Sequence, residues 1–156
     1  INLRTLMLYR SKKLEKLPEN MGDLQELYTL DLSETAIYQP PPSITKLGKL
    51  ETLCLSGFPE DLGSFNSLKR LYLSGSNISC LPRNNKLSQV YFLNIQFCQN
   101  LNELPGELPK NLRELLADYH LALKCIRDLV MNCLRLSKLG ISDCGAVSSE
   151  QVNAFL

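Results

Sequence analysis

The sequence predicts an α/β solenoid of about seven stacked units, with a curved parallel sheet on the concave face and mostly irregular returns on the convex face. Two observations support this fold. Leucine supplies 33 of the 156 residues, and a short leucine motif returns along the chain at nearly regular intervals. A single short strand cannot bury a leucine face alone, so regularly spaced strands are expected to stack on one another.

The motif is L-x-x-L-x-L, with conservative replacements. Its first residues are Leu3, Leu27, Leu50, Leu68, Val90, Leu112 and Leu136, spaced 24, 23, 18, 22, 22 and 24 residues apart. These intervals are those of a leucine-rich repeat, apart from one shortened unit. Side chains alternate along a strand, so the leucines are expected to point inward and the intervening residues outward.

The second half of each repeat is predicted to return without long helices. Leu17-Pro18, Leu81-Pro82 and Leu104-Pro105 recur in these segments, and Pro40-Pro41-Pro42 stands in the second unit. Proline fixes φ and lacks an N–H, which favours extended or turn-like returns. The sixth repeat differs, because apolar residues at helical spacing after Asp118, a candidate N-cap, predict an amphipathic helix.

The third repeat, residues 50–67, lacks the Leu-Pro segment. Phe58, Leu62 and Phe65 are expected to fill the core there. The sequence leaves open whether this short unit bends the arc or is a harmless deletion.

Residues 1–156 are expected to form a single domain fragment that is uncapped at both ends. Solenoids need polar terminal units to cover their leucine layers. An isolated fragment without them is expected to expose leucine edges and to associate.

Composition excludes several classes of function. The net charge is +1, which disfavours a nucleic-acid or membrane partner. No apolar run is long enough for a transmembrane helix. The six cysteines show neither C-x-x-C pairs nor zinc-ligand spacing. Thiols in this pattern are typical of a reducing compartment, here the cytoplasm, with the nucleus as a second location.

The chain is not predicted to be an enzyme, and it shows no motif for a metal or a cofactor. It contains neither G-x-x-x-x-G-K-[ST] nor G-x-S-x-G, and no cysteine and histidine are paired by spacing. The only histidine, His120, occupies a turn position at which Cys98 and Cys144 stand in other repeats, so we expect a packing role. Cys54 lies on the outward face, without an activating neighbour in the sequence.

Candidate binding residues lie at the outward positions of the concave face, where aromatic side chains are concentrated. Exposed, rigid Tyr and Phe anchor many protein interfaces. The predicted partner-binding residues are Arg4, Tyr9, Arg10, Tyr28, Asp31, Glu34, Glu51, Lys69, Arg70, Tyr72, Tyr91, Phe92, Phe97, Arg113 and Tyr119. The alternative is that these aromatics only cover the leucine layer, as strand residues commonly do.

Charges on the predicted face balance. Six are basic and six are acidic: Arg4, Arg10, Lys69, Arg70, Arg113 and Lys138 against Asp31, Glu34, Glu51, Glu114, Asp118 and Asp143. A patterned but neutral surface favours a protein partner over a polyanion. Ordinary solvated charge is the competing explanation for each pair.

Several motifs resemble the leucine-rich repeats of plant TIR-NB-LRR disease-resistance receptors. The similar segments are residues 14–24, Leu-Asp-Leu-Ser-Glu-Thr-Ala-Ile at 30–37, Pro-Pro-Ser-Ile at 41–44, residues 104–115 and residues 118–126. The resemblance covers nearly all of residues 1–144. The shortened third unit and His120 depart from the family pattern, which leaves local curvature and any copied contact map open.

The resemblance implies a recognition module in plant defence. In this family the repeats sense a pathogen effector, directly or through a guarded host protein, and restrain the nucleotide-binding domain at rest. The TIR domain hydrolyses NAD and the central domain binds ADP or ATP, and neither domain lies in this chain. Oligomerisation is expected only through those other domains.

Two other functions remain open. One is an intracellular scaffold or adaptor, as in Ras-pathway or ubiquitin-ligase adaptor proteins. The other is an extracellular plant receptor, whose repeats usually carry Asn after the strand. The residues at that turn position here are Ser11, Thr35, Phe58, Ser76, Cys98, His120 and Cys144, which disfavours the extracellular alternative.

Overall fold

Seven short parallel strands form one sheet in chain order, one strand from each predicted repeat. The computed structural model describes residues 1–57, 65–81, 87–101, 108–119, 133–145 and 148–149. The strands are β1 (Thr5–Met7), β2 (Thr29–Asp31), β3 (Thr52–Cys54), β4 (Arg70–Tyr72), β5 (Phe92–Asn94), β6 (Glu114–Leu116) and β7 (Lys138–Gly140). The predicted leucine-rich-repeat solenoid is therefore confirmed.

Register follows the leucine motif through the whole sheet. The central leucine of every strand pairs with the central leucine of its neighbour, as Leu30 does with Leu53 and Leu53 with Leu71. The sheet keeps this register across the shortened third repeat. The central leucines of β2 to β6 are completely buried, whereas Leu6 and Leu139 in the two edge strands are partly buried.

Backbone hydrogen bonds fix the start of each strand in the same way. The carbonyl of the residue before a strand accepts two N–H groups from the next repeat. Tyr91 O, for example, accepts Arg113 N–H at 2.8 Å and Glu114 N–H at 3.0 Å. The pattern recurs at the carbonyls of Arg4, Tyr28, Glu51, Lys69, Tyr91 and Arg113. These shared acceptors hold the outward side chains of successive repeats in rows.

The returns contain short 3₁₀ helices, at Glu19–Asp23 and Pro42–Lys46. Proline begins the second of them, where its missing N–H costs nothing. Phe65 is buried, as predicted for the third repeat. Phe58, Leu62, His120 and most of the helix predicted after Asp118 lie outside the described residues.

Cysteines at the turn position act as buried donors. The Cys98 thiol donates to Leu73 O at 2.9 Å, and the Cys144 thiol donates to Ala117 O at 3.2 Å. In the second repeat Thr35 donates its hydroxyl to Leu32 O at 2.7 Å. A small side chain with one donor therefore satisfies buried carbonyls at this position.

The first and second returns pack closely at Gly22. A Cβ on Gly22 would lie 2.5 Å from Ser43 O and 3.1 Å from Lys46 Cβ. We expect Gly22→Ala to lower the free energy of unfolding by about 1–3 kcal/mol, the range for overpacked sites. Gly48→Ala is the matched control, because nothing lies within 4 Å of its Cβ. Urea unfolding of both variants checks this, and equal stabilities would contradict it.

Candidate functional site

The concave face changes in chemistry between β3 and β4. We use the term concave face for the outward side chains of the strands, of the residue before each strand, and of the turn after it. The first residue is Thr5, Thr29 or Thr52 in β1 to β3, but Arg70 in β4 and Phe92 in β5. Glu114 and Lys138 begin β6 and β7, so this row changes from threonine in β1 to β3 to larger side chains from β4 onward.

Four predicted binding residues form an aromatic cluster, defined as Arg70, Tyr72, Tyr91 and Phe92. The Tyr72 and Phe92 rings have centroids 4.8 Å apart and are tilted by 37°. The Arg70 guanidinium lies 5.6 Å from the centroid of Tyr91. The three rings are half-buried, so the neighbouring repeats hold them in place while each keeps one accessible side.

Burial has a measurable effect at Tyr72. It raises the pKa of the Tyr72 hydroxyl above its ordinary value, more than the Arg70 charge lowers it. This hydroxyl is therefore neutral at physiological pH and can donate or accept a hydrogen bond.

Phe97 and Tyr119 form a second feature, the stacked pair. Their centroids lie 4.3 Å apart with an interplanar angle of 11°, and the residues are 49% and 45% exposed. They lie in the turns after β5 and β6 rather than in the strands. An exposed aromatic pair in this arrangement offers a flat apolar surface to a partner.

The turn backbone explains how these two rings are displayed. In the described part of the chain, six turns contain a residue with positive φ: Arg10 (61°), Glu34 (53°), Gly75 (67°), Phe97 (58°), Tyr119 (64°) and Asp143 (52°). A residue other than glycine pays about 1–2 kcal/mol for this conformation. The Tyr119 N–H donates to Ser142 O of the next repeat at 2.8 Å, which holds the turn in place.

Other predicted residues pair with one another. Arg10 Nε lies 3.1 Å from Glu34 Oε2, and Lys69 Nζ lies 2.6 Å from Glu51 Oε1. A hydrogen bond to Glu34 raises the pKa of the nearby Tyr9 hydroxyl. These pairs are exposed, so they contribute little to stability and can exchange partners.

Three predicted residues lie apart from these groups. Arg4 and Tyr28 precede β1 and β2, and Arg4 is exposed. Asp31, the last residue of β2, accepts the Ser33 N–H at 2.9 Å. The Asp31 carboxylate therefore stabilises its own turn.

A groove along the amino ends of β4 to β7 includes residues that the sequence did not single out. Three of its lining residues were predicted to bind a partner: Lys69, Tyr91 and Arg113. The other three were not predicted: Gln89, Asn111 and Arg135. Each of these unpredicted residues immediately precedes a repeat motif. Only the stacking of adjacent repeats brings them together, so spacing within one repeat carries no signal for them.

Cys54 lacks the properties of a nucleophile. Burial, together with the Asp31 charge, raises its thiol pKa to about 12, so the thiolate is scarce at neutral pH. Among the described residues, no group of three or more His, Cys, Asp or Glu is placed to hold a metal ion. In the same part of the chain, no helix is long and apolar enough to cross a membrane.

Asp118 links three repeats through its buried carboxylate. Oδ1 accepts the Ser142 N–H at 2.7 Å, and Oδ2 accepts the side-chain amide of Gln96. A Cβ at Gly140 would lie 2.9 Å from Oδ2, so glycine leaves room for this carboxylate. Asp118 thus stabilises the stacking of repeats. Its predicted N-cap role concerns backbone outside the described residues.

Asp118 should make stability depend on pH. Burial raises its pKa, but the hydrogen bonds from Ser142 and Gln96 outweigh this and hold the pKa below its ordinary value. Because its pKa is lower in the folded protein than the value of about 4 in the unfolded chain, ionised Asp118 stabilises the fold above about pH 4. This stabilisation is lost as the pH falls below that value. Asp118→Ala should cost about 1–3 kcal/mol at neutral pH, because the Ser142 N–H loses its acceptor.

Asp118→Asn separates charge from hydrogen bonding. The amide oxygen of the introduced asparagine can still accept the Ser142 N–H, so the loss should be smaller than in Asp118→Ala. Urea unfolding at several pH values should show the difference between wild type and Asp118→Asn shrinking below about pH 4. A difference that stays constant or grows in acid would contradict this assignment.

Comparisons with known proteins agree with this structure. A family model described as "Leucine-rich repeat region" matches residues 1–155. Solved structures with the same fold include a leucine-rich-repeat protein of Leptospira interrogans, with a TM-score of 0.66, 24% identity and coverage of 98% of this chain and 46% of that one. Another is the ectodomain of the receptor kinase GASSHO1 from Arabidopsis thaliana, with a TM-score of 0.68, 24% identity and coverage of 90% and 18%. These structural similarities show the fold alone.

Sequence relatives are plant resistance proteins. TMV resistance protein N of Nicotiana glutinosa is 35% identical over 91% of this chain and 15% of its own length. Disease resistance protein RPS4B of Arabidopsis thaliana is 32% identical over 73% of this chain and 12% of its own. The chain thus spans less than one-sixth of either relative. It belongs to the leucine-rich repeat family, and it is similar to the repeat region of plant TIR-NB-LRR disease-resistance proteins.

Proposed function

We propose that the chain is the recognition module of an intracellular plant immune receptor. Its concave face contacts a pathogen effector or a guarded host protein, and the module restrains the nucleotide-binding domain until that contact forms. The observation that carries this proposal is the concentration of the aromatic cluster and the stacked pair on β4 to β6 of a resistance-protein-like solenoid.

The chemistry of this surface supports a protein partner. Aromatic side chains lose little conformational entropy on binding and bury large apolar areas. The stacked strands preorganise these rings in the unbound protein, which lowers the entropic cost of binding a partner. Charged side chains around them are paired across repeats, as Glu51 and Lys69 are, and can provide specificity at the rim.

The rest of the proposal concerns the longer receptor. Catalysis and ADP or ATP binding would belong to other domains, and this chain would act by binding alone in the cytoplasm or nucleus. The module would then contact either the nucleotide-binding domain, which restrains the receptor, or the sensed partner. A partner that binds more tightly to the module once the module has left the nucleotide-binding domain would shift the receptor toward its active state.

A chimeric receptor tests this function. In the chimera, residues 1–156 are replaced by the aligned repeats of TMV resistance protein N. The chimera and the unaltered receptor are expressed in leaves, and the defence response of each is measured with the elicitor of either parent receptor. We expect the chimera to lose the response to the original elicitor. A chimera that keeps its original specificity would show that this segment is not the recognition module, and would favour a scaffold or adaptor role.

A further inference from the structure

The groove at the amino ends of β4 to β7 has a volume of about 350 Å³. It lies at the edge of the concave face away from the stacked pair, which follows the carboxyl ends of β5 and β6. Its lining residues are Lys69, Gln89, Tyr91, Asn111, Arg113 and Arg135. Three of these six side chains are cationic and none is anionic.

Two of the three cations lack an anionic partner among the described residues. Lys69 is paired with Glu51, as described above. Arg113 and Arg135 are exposed and form no ion pair with any residue in the described part of the chain. The groove therefore keeps the charge of both arginines.

The guanidinium of Arg135 is hydrogen-bonded to the preceding repeat. Its Nη1 donates to Asn111 Oδ1 at 2.8 Å, and Asn111 Nδ2 donates to Ser88 O at 2.8 Å. This relay joins three consecutive repeats. A guanidinium has five N–H donors, so a ligand in the groove can still use the others.

We propose that this groove binds an acidic segment of the protein partner, with Asp or Glu carboxylates on Arg113 and Arg135. The planar guanidinium matches a carboxylate in a two-point hydrogen-bonded pair. Tyr91 supplies an aromatic wall, while the amides of Gln89 and Asn111 can bind the peptide backbone. The inference rests on the proposed function, because it names the chemistry of the partner that the concave face would recognise.

Charges around the groove favour a protein segment over a nucleic acid. Glu51 lies beside Lys69, and Glu114 follows Arg113 directly in β6. A phosphate backbone would meet these carboxylates as it extended beyond the groove, and affinity for it depends on a continuous basic surface. An acidic loop of a protein can pair its few carboxylates with the arginines, and the rest of that chain can turn away from the groove and avoid the neighbouring glutamates.

Fluorescence anisotropy with a labelled oligoglutamate peptide tests the groove in the full-length protein that contains residues 1–156, because the isolated segment is expected to associate. We expect binding that is absent with an oligoglutamine peptide. Removing both charges in the Arg113→Gln/Arg135→Gln variant should weaken it by about tenfold, since exposed pairs contribute modestly. Lys13→Gln/Lys16→Gln is the matched control, because it removes the same charge from exposed positions elsewhere. Unchanged binding in the arginine variant would overturn the proposal.

A gain-of-binding variant guards against general damage to the fold. Glu51→Gln frees Lys69, so oligoglutamate should bind about twofold to fivefold more tightly. Weaker binding in this variant would count against the groove. An oligothymidylate that binds more tightly than oligoglutamate, with the same arginine dependence, would overturn the protein-segment assignment in favour of nucleic acid.

The two proposals can fail separately. The peptide experiment measures the groove without reference to immunity, whereas the chimera measures specificity without reference to the groove. Binding of oligoglutamate with a chimera of unchanged specificity would leave the groove in place and remove its role in defence. If oligoglutamate does not bind but the chimera loses its original specificity, the recognition module is supported and the acidic-segment proposal is rejected.

Discussion

Leu71→Ala should lower the free energy of unfolding by about 2–5 kcal/mol, the range for truncating a fully buried leucine to alanine. Leu71 is completely buried at the centre of β4, in register with Leu53 and Leu93. Alanine would leave a cavity between two repeats that are held rigidly on either side. In a solenoid each repeat depends on its neighbours, so one central cavity weakens two interfaces.

Leu6→Ala is the matched control for this prediction. Leu6 has the same position in β1, at the edge of the sheet, and is only partly buried. Its loss should be about 1 kcal/mol, because less apolar surface leaves the core. Urea unfolding followed by circular dichroism compares the two variants. Equal losses would show that the leucine layer is not buried as the structure places it.

Tyr72→Met/Phe92→Thr should reduce affinity for the recognised partner by at least about 30-fold, the effect of losing a pair of interface hot spots. Both rings belong to the aromatic cluster and contact each other. The replacements are the residues that β1 carries in the same two rows, Met7 and Thr5, so they suit an outward strand position. Under the proposed function, a receptor carrying this double variant should fail to trigger a response while the solenoid stays folded.

Thr5→Ala/Met7→Ala is the matched control on the same rows. It removes outward side chains from β1, far from the aromatic cluster along the sheet. We expect it to leave the response unchanged. Thermal melts of both variants verify folding, and a normal response in the Tyr72→Met/Phe92→Thr receptor would exclude the aromatic cluster as the binding surface.

The sheet could be predicted from the sequence because its signal is local and repeated. Every L-x-x-L-x-L motif contains one strand, and the alternation of inward leucines and outward residues follows from strand geometry. Even the shortened third repeat keeps its register, because the interval between motifs does not alter pairing within them. Leucine spacing was therefore sufficient for the fold.

The site could be predicted only in part. Residue types indicated the aromatic rings, but not that Phe97 and Tyr119 would stack from two turns with positive φ. The link from Asp118 to Ser142 joins residues 24 apart. The relay through Asn111 to Arg135 likewise depends on the exact stacking of repeats. Such contacts are set by the distance between repeats, and they leave no periodic signal within one.

Hydroxyl-radical footprinting of the proposed receptor, with and without the partner that activates it, tests the proposed recognition surface most directly. Tyr38 is 70% exposed on a return segment and serves as an internal control. We predict that the partner protects Tyr72, Tyr91, Phe97 and Tyr119 from oxidation and leaves Tyr38 unchanged. Protection of Tyr38 with unchanged oxidation of the four concave-face residues would contradict the assignment of recognition to β4 to β6.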